Sequence, residues 1–337
     1  MSKKKKLQAT ASENKKGSDA QGDQDTGSLQ RSFFDHTWLL LGILLVATFA
    51  VYFDSLDNGF VPFDDDKSIW YNKTLQSPSI SGILGGQSLG MYAPVTILSY
   101  TLVYQLFGEN ATAFHWAGML VHMLNVVLVF WLMLRIQERK WAAFFIALMF
   151  GVHPIMAEPV SWVSGLSTPI FSAFYLLALH LFWSHLEGKG QKYFWLSLLA
   201  FVFAGFSKSA AATLPFVLVA LEWWRNGTFS VTSILRKWPF WLFSAALVGY
   251  TFITRSAEGH NFDVTKAYSL VDRVFMVSQT LFFYPVKLLF PFGFSISYPF
   301  PKVDGTWRAD YYLALPALLL VIWWIKKNWL LRFTFFH

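Results

Sequence analysis

Apolar residues in this chain run in unbroken blocks rather than at a helical or strand period, and short charged stretches separate the blocks. The blocks fall at about 36–53, 113–134, 141–153, 168–185, 193–206, 210–224, 238–254 and 311–325. A helix that is apolar on every side has no solvent face, so each block reads as a membrane span. Two further stretches, 93–107 and 271–290, read as helices lying flat on the membrane surface. Several blocks are shorter than the ~20 residues a bilayer usually requires, so about eight spans, and at most about ten, are expected. The pattern predicts an all-α polytopic membrane protein.

Charge placement orders the spans, because basic residues collect on the cytoplasmic side. Residues 1–35 are polar and carry Lys3, Lys4, Lys5, Lys6, Lys15, Lys16 and Arg31. They predict a disordered cytoplasmic tail held near anionic lipid. The block at 113–134 ends at Arg135, Arg139 and Lys140. That cluster falls inside only if 93–107 does not cross. The transmembrane domain then covers 36–325, with outer loops at about 54–112, 154–167 and 255–307. Residues 326–337, with Lys326, Lys327 and Arg332, form a short cytoplasmic C-terminal tail.

Composition sharpens this picture. The 337 residues are 55% hydrophobic and 14% charged, with a mean hydropathy of +0.41. Soluble domains carry about 25% charged residues. A soluble enzyme, a disordered chain and a coiled coil are therefore excluded. The net charge of +7 reports orientation rather than affinity for nucleic acid, and membrane lipids are the expected partners. The absence of cysteine removes disulfides, thiolate metal sites and cysteine nucleophiles, and fits a bacterial inner-membrane protein.

On this topology the unusual polar residues gather on the outer, periplasmic side. Asp64, Asp65 and Asp66 follow the first span. Three adjacent carboxylates repel one another unless a cation or substrate neutralises them, and hard oxygen ligands suit Mg²⁺ or Mn²⁺. One of them is also a candidate general base. The alternative is a solvated acidic loop. His153 and Glu158 stand five residues apart on a turn bounded by Pro154 and Pro159, as candidate ligands or as groups that merely face water. A metal held by Asp65 and Glu158 is one expectation. Lys208 is an outer lysine against the charge trend, which suits pairing with a lipid phosphate or, more simply, a snorkelling side chain. His115, His122 and Asn125 recur on one face of the second span and read mainly as interhelical glue.

Six motifs in order carry a resemblance. Asn58-Gly59-Phe60-Val61-Pro62-Phe63-Asp64-Asp65-Asp66 resembles the "NGFVWDDD" opening of GT-C glycosyltransferases. Tyr92-Ala93-Pro94-Val95-Thr96 resembles "YRPLT", and Phe114-His115 with His122 and Asn125 resembles "FH…LH..N". His153-Pro154 through Glu158, then Ser161-Trp162-Val163-Ser164-Gly165, is similar to "HPxxxESVAWVSGR". Phe206-Ser207-Lys208 with Thr213-Leu214-Pro215 and Glu222-Trp223-Trp224 is similar to "LSKPMAVTLPxxLLLxDWW". The stretch Tyr284 to Pro301, with Phe292 to Pro299 inside it, resembles a later loop of the same group. The nearest group is the transmembrane-and-tetratricopeptide O-mannosyltransferases and their bacterial relatives.

The resemblance implies a GT-C-like helical bundle and transfer of a mannose-like sugar from a polyprenyl-phosphate donor to an acceptor hydroxyl. It places the catalytic carboxylate among Asp64, Asp65 and Asp66. His153 and Glu158 would sit in a second outer loop of the site, and Lys208 at the donor phosphate. Three positions depart from the pattern. Ala93 replaces its arginine, Leu166-Ser167-Thr168 its charged pair, and Ser209 a proline. Relatives also continue beyond the position of His337. Two functions are therefore expected: an inverting membrane glycosyltransferase, or an inactive GT-C-like scaffold that binds a membrane protein complex or a lipid.

Overall fold

The computed structural model describes residues 36–228, 230–257, 268–295, 298, 302–303 and 305–335. The expected disordered tail at 1–35 lies outside these residues, as do parts of the 255–307 loop. Among the described residues ten main helices follow one another. They are α1 His36–Asp57, α2 Pro94–Phe107, α3 Ala111–Gln137, α4 Lys140–Val152 and α5 Ser167–Leu186. Then come α6 Lys192–Gly205, α7 Leu214–Asn226, α8 Trp238–Ala257, α9 Leu270–Leu289 and α10 Ala309–Phe335. Among the described residues the only strands are two short antiparallel hairpins, pairing Gln87–Ser88 with Met91–Tyr92 and Lys302–Val303 with Thr306–Trp307. This is an all-α membrane protein.

Every apolar block of the sequence forms a helix, but the helices differ in reach. By length and composition α1, α3 and the segment Val163–Leu186 can cross a membrane. The bent pair Lys140–Val152 and Pro154–Ser161, with an angle of 47° between its halves, is apolar enough when taken together to form a broken span or a re-entrant loop. The bend falls at His153-Pro154, where proline supplies no N–H to continue the ladder. α2, α6, Trp238–Thr254 and Ala309–Trp324 are apolar but shorter. α2 has 14 residues. It is therefore ~21 Å long, against a hydrocarbon core of ~30 Å. α10 runs on to Phe335, past the end expected from the apolar block.

Local sequence explains the ends. Asn110 caps α3 by accepting from Ala113 N–H, and Glu138 closes it in the left-handed region. Pro94 opens α2, where its missing N–H costs nothing. Ser269 and Asp272 form a capping box at the start of α9.

Among the described residues four apolar clusters hold the bundle, the smallest being Tyr52, Leu56, Met119 and Val160. Leu40, Leu44, Val126, Phe130, Ala143 and Ala147 join α1, α3 and α4. Ala178, Phe182, Phe201, Ala204, Leu214 and Phe240 join α5 to α8. The third, with Ile69, Leu75, Ile97, Tyr100, Phe114 and Val163, ties the first long loop to α2, α3 and the segment before α5. Polar groups join helices as expected. His122 Nε2 lies 3.0 Å from the Gly151 carbonyl oxygen, and Asn125 Nδ2 donates to the Pro169 carbonyl at 2.8 Å.

α1, α3 and α4 meet most closely at Gly151. A Cβ there would lie 2.6 Å from Thr48 Oγ1 and 3.1 Å from Val126 Cγ2. Gly151→Ala is expected to destabilise the detergent-purified protein by about 1–3 kcal/mol through overpacking. A thermal unfolding curve identical to the parent's would show that the contact relaxes freely.

Candidate functional site

Four loop segments, all away from the middle of the bundle, meet above the third apolar cluster. Asp65 is fully buried. Its Oδ1 accepts from Ser164 N–H at 2.9 Å and from Ser164 Oγ at 2.5 Å, and its Oδ2 accepts from Val61 N–H at 2.9 Å. Ser68 Oγ lies 3.0 Å from Ser164 Oγ. A buried carboxylate is tolerable only when its oxygens receive donors, and here both do. The Phe63 ring packs on Trp162 at 6.0 Å, so the aspartate turn sits directly on the segment that leads into α5.

The neighbouring aspartates are placed differently. Asp64 has φ 73°, an uncommon left-handed conformation for a residue with a side chain. Its carboxylate remains 24% exposed and lies 3.4 Å from Lys67 Nζ. Asp66 opens the π-helical turn Asp66–Trp70, and its Oδ1 is buried with no hydrogen-bond partner.

In the second loop, His153 is buried and engaged at both nitrogens. Nδ1 accepts from Ile155 N–H at 3.1 Å, which leaves Nε2 to donate to the Leu288 carbonyl at 3.0 Å. It fastens α9 to the bend rather than facing open space. Glu158 is exposed. Gly165 lets this loop fold tightly, because a Cβ there would lie 3.0 Å from the Glu158 carbonyl oxygen.

The third motif joins the same assembly. Val95 N–H donates to the Phe206 carbonyl at 3.1 Å, and Thr96 Oγ1 donates to the Ser207 carbonyl at 2.8 Å. Tyr92 meets the Phe206 ring edge-on at 5.6 Å. Tyr100 donates to the Val163 carbonyl at 3.1 Å. Lys208, half-buried, donates from Nζ to Thr168 Oγ1 at 2.7 Å. Burial pushes its ammonium below the ordinary lysine pKa, and the negative charge of Glu158 works against that shift.

The structure thus ties Asp65 to Ser164 and Lys208 to Thr168, two residues of one short stretch, sets the charge of Glu158 near Lys208, and turns His153 toward α9. Sequence reasoning missed Ser164 and Thr168, which hold Asp65 and Lys208. Both are uncharged, and the sole signal was their place in the Trp162–Thr168 stretch. The residues present do not assemble a divalent-cation site. Asp65 spends both oxygens on protein donors, and no three His, Asp or Glu side chains converge among the described residues.

The chain matches no family model, and no solved structure matches it. Curated relatives do match parts of it. It is 30% identical over 165 residues to protein O-mannosyl-transferase TMTC3 of Mus musculus, covering 46% of this chain and 18% of the relative. It is 28% identical over 231 residues to protein O-mannosyl-transferase TMTC4 of Homo sapiens, covering 59% of this chain and 31% of the relative. A third match, 32% identical over 148 residues, is to protein O-mannosyl-transferase Tmtc3 of Drosophila melanogaster. The chain spans between 18% and 31% of the length of the first two relatives. Over these stretches it is similar in sequence to the TMTC protein O-mannosyl-transferases, as its motifs imply.

Proposed function

We propose that this protein is a membrane glycosyltransferase that moves a mannose-like sugar from a polyprenyl-phosphate donor to an acceptor hydroxyl. The supporting observation is that the 158–168 stretch holds the aspartate turn at one end, through the buried bond of Ser164 to Asp65, and Lys208 at the other, through the half-buried bond to Thr168. Asp64 is the general base of this reading, because its carboxylate is partly exposed on a strained turn, whereas Asp65 is fully buried. It takes the proton of the acceptor hydroxyl. The hydroxyl oxygen bonds to the anomeric carbon as the carbon–oxygen bond to phosphate breaks, with inversion. The polyprenyl phosphate leaves with the bonding electrons, and its charge is met by Lys208. The negative charge of Glu158 opposes the loss of the lysine's proton that burial favours. No step passes through a divalent cation. In this reading the basic clusters lie inside with the N-terminus, as the charge rule favours, and the reaction runs on the non-cytoplasmic face, periplasmic in a bacterial inner membrane.

The test is transfer from polyprenyl-phosphate mannose to peptide acceptors by the purified full chain. Lys208→Gln is expected to raise the donor KM by about tenfold or more, since a charged hydrogen bond is worth roughly 1.5–3 kcal/mol. Because burial lowers the pKa of Lys208, donor affinity falls as pH rises through a value below that of an ordinary lysine. Lys208→Arg, which cannot deprotonate, is expected to abolish that alkaline limb. Donor binding without transfer to any acceptor would favour the scaffold reading, which the loss of the family arginine at buried Ala93 supports.

A further inference from the structure

We infer that Thr168 is the positioning residue for Lys208, and that its neutrality is what leaves the lysine's charge available to an anionic group. This rests on the donor-phosphate reading above and adds a residue that the family pattern does not supply.

Lysine carries three ammonium N–H donors and no acceptor. One goes to Thr168 Oγ1 at 2.7 Å. Among the described residues no other side chain takes either of the remaining two, and no carboxylate lies within ion-pair distance. Two other cations drawn into the bundle are treated differently. Arg135 pairs with Glu187 at 2.8 Å, and Lys237, itself 2% exposed, pairs with Glu222 and with Ser233. A cation taken out of water is normally compensated by an opposite charge. Lys208 has a hydroxyl in that place, while Glu158 stands farther off.

The backbone fixes both partners. Lys208 is extended, with φ −157° and ψ 134°, and its carbonyl accepts from Ala211 N–H at 3.1 Å. Thr168 sits in the first turn of α5, two residues after Leu166, which is buried in the third apolar cluster. Neither residue needs its side chain to form its own element. The Lys208–Thr168 bond therefore aims the ammonium rather than building the fold. An oxyanion bearing the phosphate of a lipid supplies the two missing acceptors and the missing negative charge.

The test uses the full chain in nanodiscs with three probes: polyprenyl phosphate, the uncharged polyprenol and inorganic phosphate. Binding and thermal unfolding are measured for Thr168→Ser, Thr168→Val, Thr168→Asp and Lys208→Gln. Thr168→Ser is expected to match the parent. Thr168→Val is expected to weaken polyprenyl phosphate about fivefold, the usual cost of one lost hydrogen bond. Thr168→Asp pairs the lysine internally, and is expected to weaken binding more than valine does while unfolding no earlier than the parent. A purely structural hydroxyl predicts the opposite order, with aspartate anchoring the lysine and binding retained. Polyprenol affinity should not change in any variant. Inorganic phosphate competing as well as the lipid would assign the site to free phosphate and overturn the lipid assignment. If the parent binds polyprenyl phosphate and Lys208→Gln loses it, but Thr168→Val and Thr168→Asp bind like the parent, the role of Thr168 fails and the donor reading stands. If Lys208→Gln binds like the parent, both fail.

Discussion

Asp64→Asn is expected to lower the rate of sugar transfer by about 10²–10⁴-fold, the usual contribution of a positioned general base, with the thermal unfolding curve unchanged. The reasons lie in its surroundings. Its carboxylate is partly exposed, and its one ionic partner, Lys67, is itself 71% exposed at the side chain. An exposed ion pair of that kind contributes little to stability, roughly 0–1 kcal/mol. The backbone at φ 73° suits asparagine at least as well as aspartate, so the substitution adds no strain. What the substitution removes is a group able to accept a proton. Donor KM should stay within about twofold of the parent, because loss of a group acting only in the transition state lowers kcat and kcat/KM alike. An Asp64→Asn protein with full transfer would remove Asp64 from the chemistry and return the role to Asp66 or Glu158.

Asp65→Asn should fail in another way, losing about 2–4 kcal/mol of stability together with transfer. Asp65 accepts three hydrogen bonds at a position with no solvent exposure. An asparagine offers one oxygen and one NH₂ group, so at least one N–H or O–H faces another donor. If the amide nitrogen turns toward Val61, that N–H is orphaned. If it turns toward Ser164, the backbone N–H loses its acceptor. The charge that strengthens all three bonds is lost in either orientation. Ser164→Ala should cause a smaller loss, about 1 kcal/mol or more, since its backbone N–H still reaches Asp65. The two aspartates are separated by this contrast: Asp64→Asn loses rate at parental stability, and Asp65→Asn loses both. An Asp65→Asn protein as stable as the parent but inactive would make Asp65 the base and Asp64 the bystander.

Much of the architecture was legible before folding was considered. Apolar blocks can only be helices where no water is present to satisfy the backbone, so each block marked a helix. The His122 and Asn125 contacts were legible too, because polar side chains on an apolar helix need partners on its neighbours. Span lengths were less so. The bend at His153-Pro154 ends one block and sets Pro154–Ser161 at 47° to it, which no count of apolar residues would show.

The candidate site divides along the same line. Charge alone drew attention to Asp64–Asp66, Glu158 and Lys208, since a charge beside an apolar block is costly and needs a reason. Charge could not rank three consecutive aspartates. Their roles depend on which one the turn at φ 73° points inward, and Asp65 is inward only because Ser164, 99 residues away, supplies its donors. His153 looked like a ligand and is a fastener, because Ile155 and Leu288 claim both its nitrogens. Ser164 and Thr168 carried no signal beyond their place in the Trp162–Thr168 stretch, since a hydroxyl acts through whatever the fold sets beside it. The sequence by itself determined a helical membrane protein and which charges needed an explanation. Tertiary structure alone decided which of those charges are satisfied internally and which remain free to act, because hydrogen-bond partners and burial arise between segments far apart in the chain.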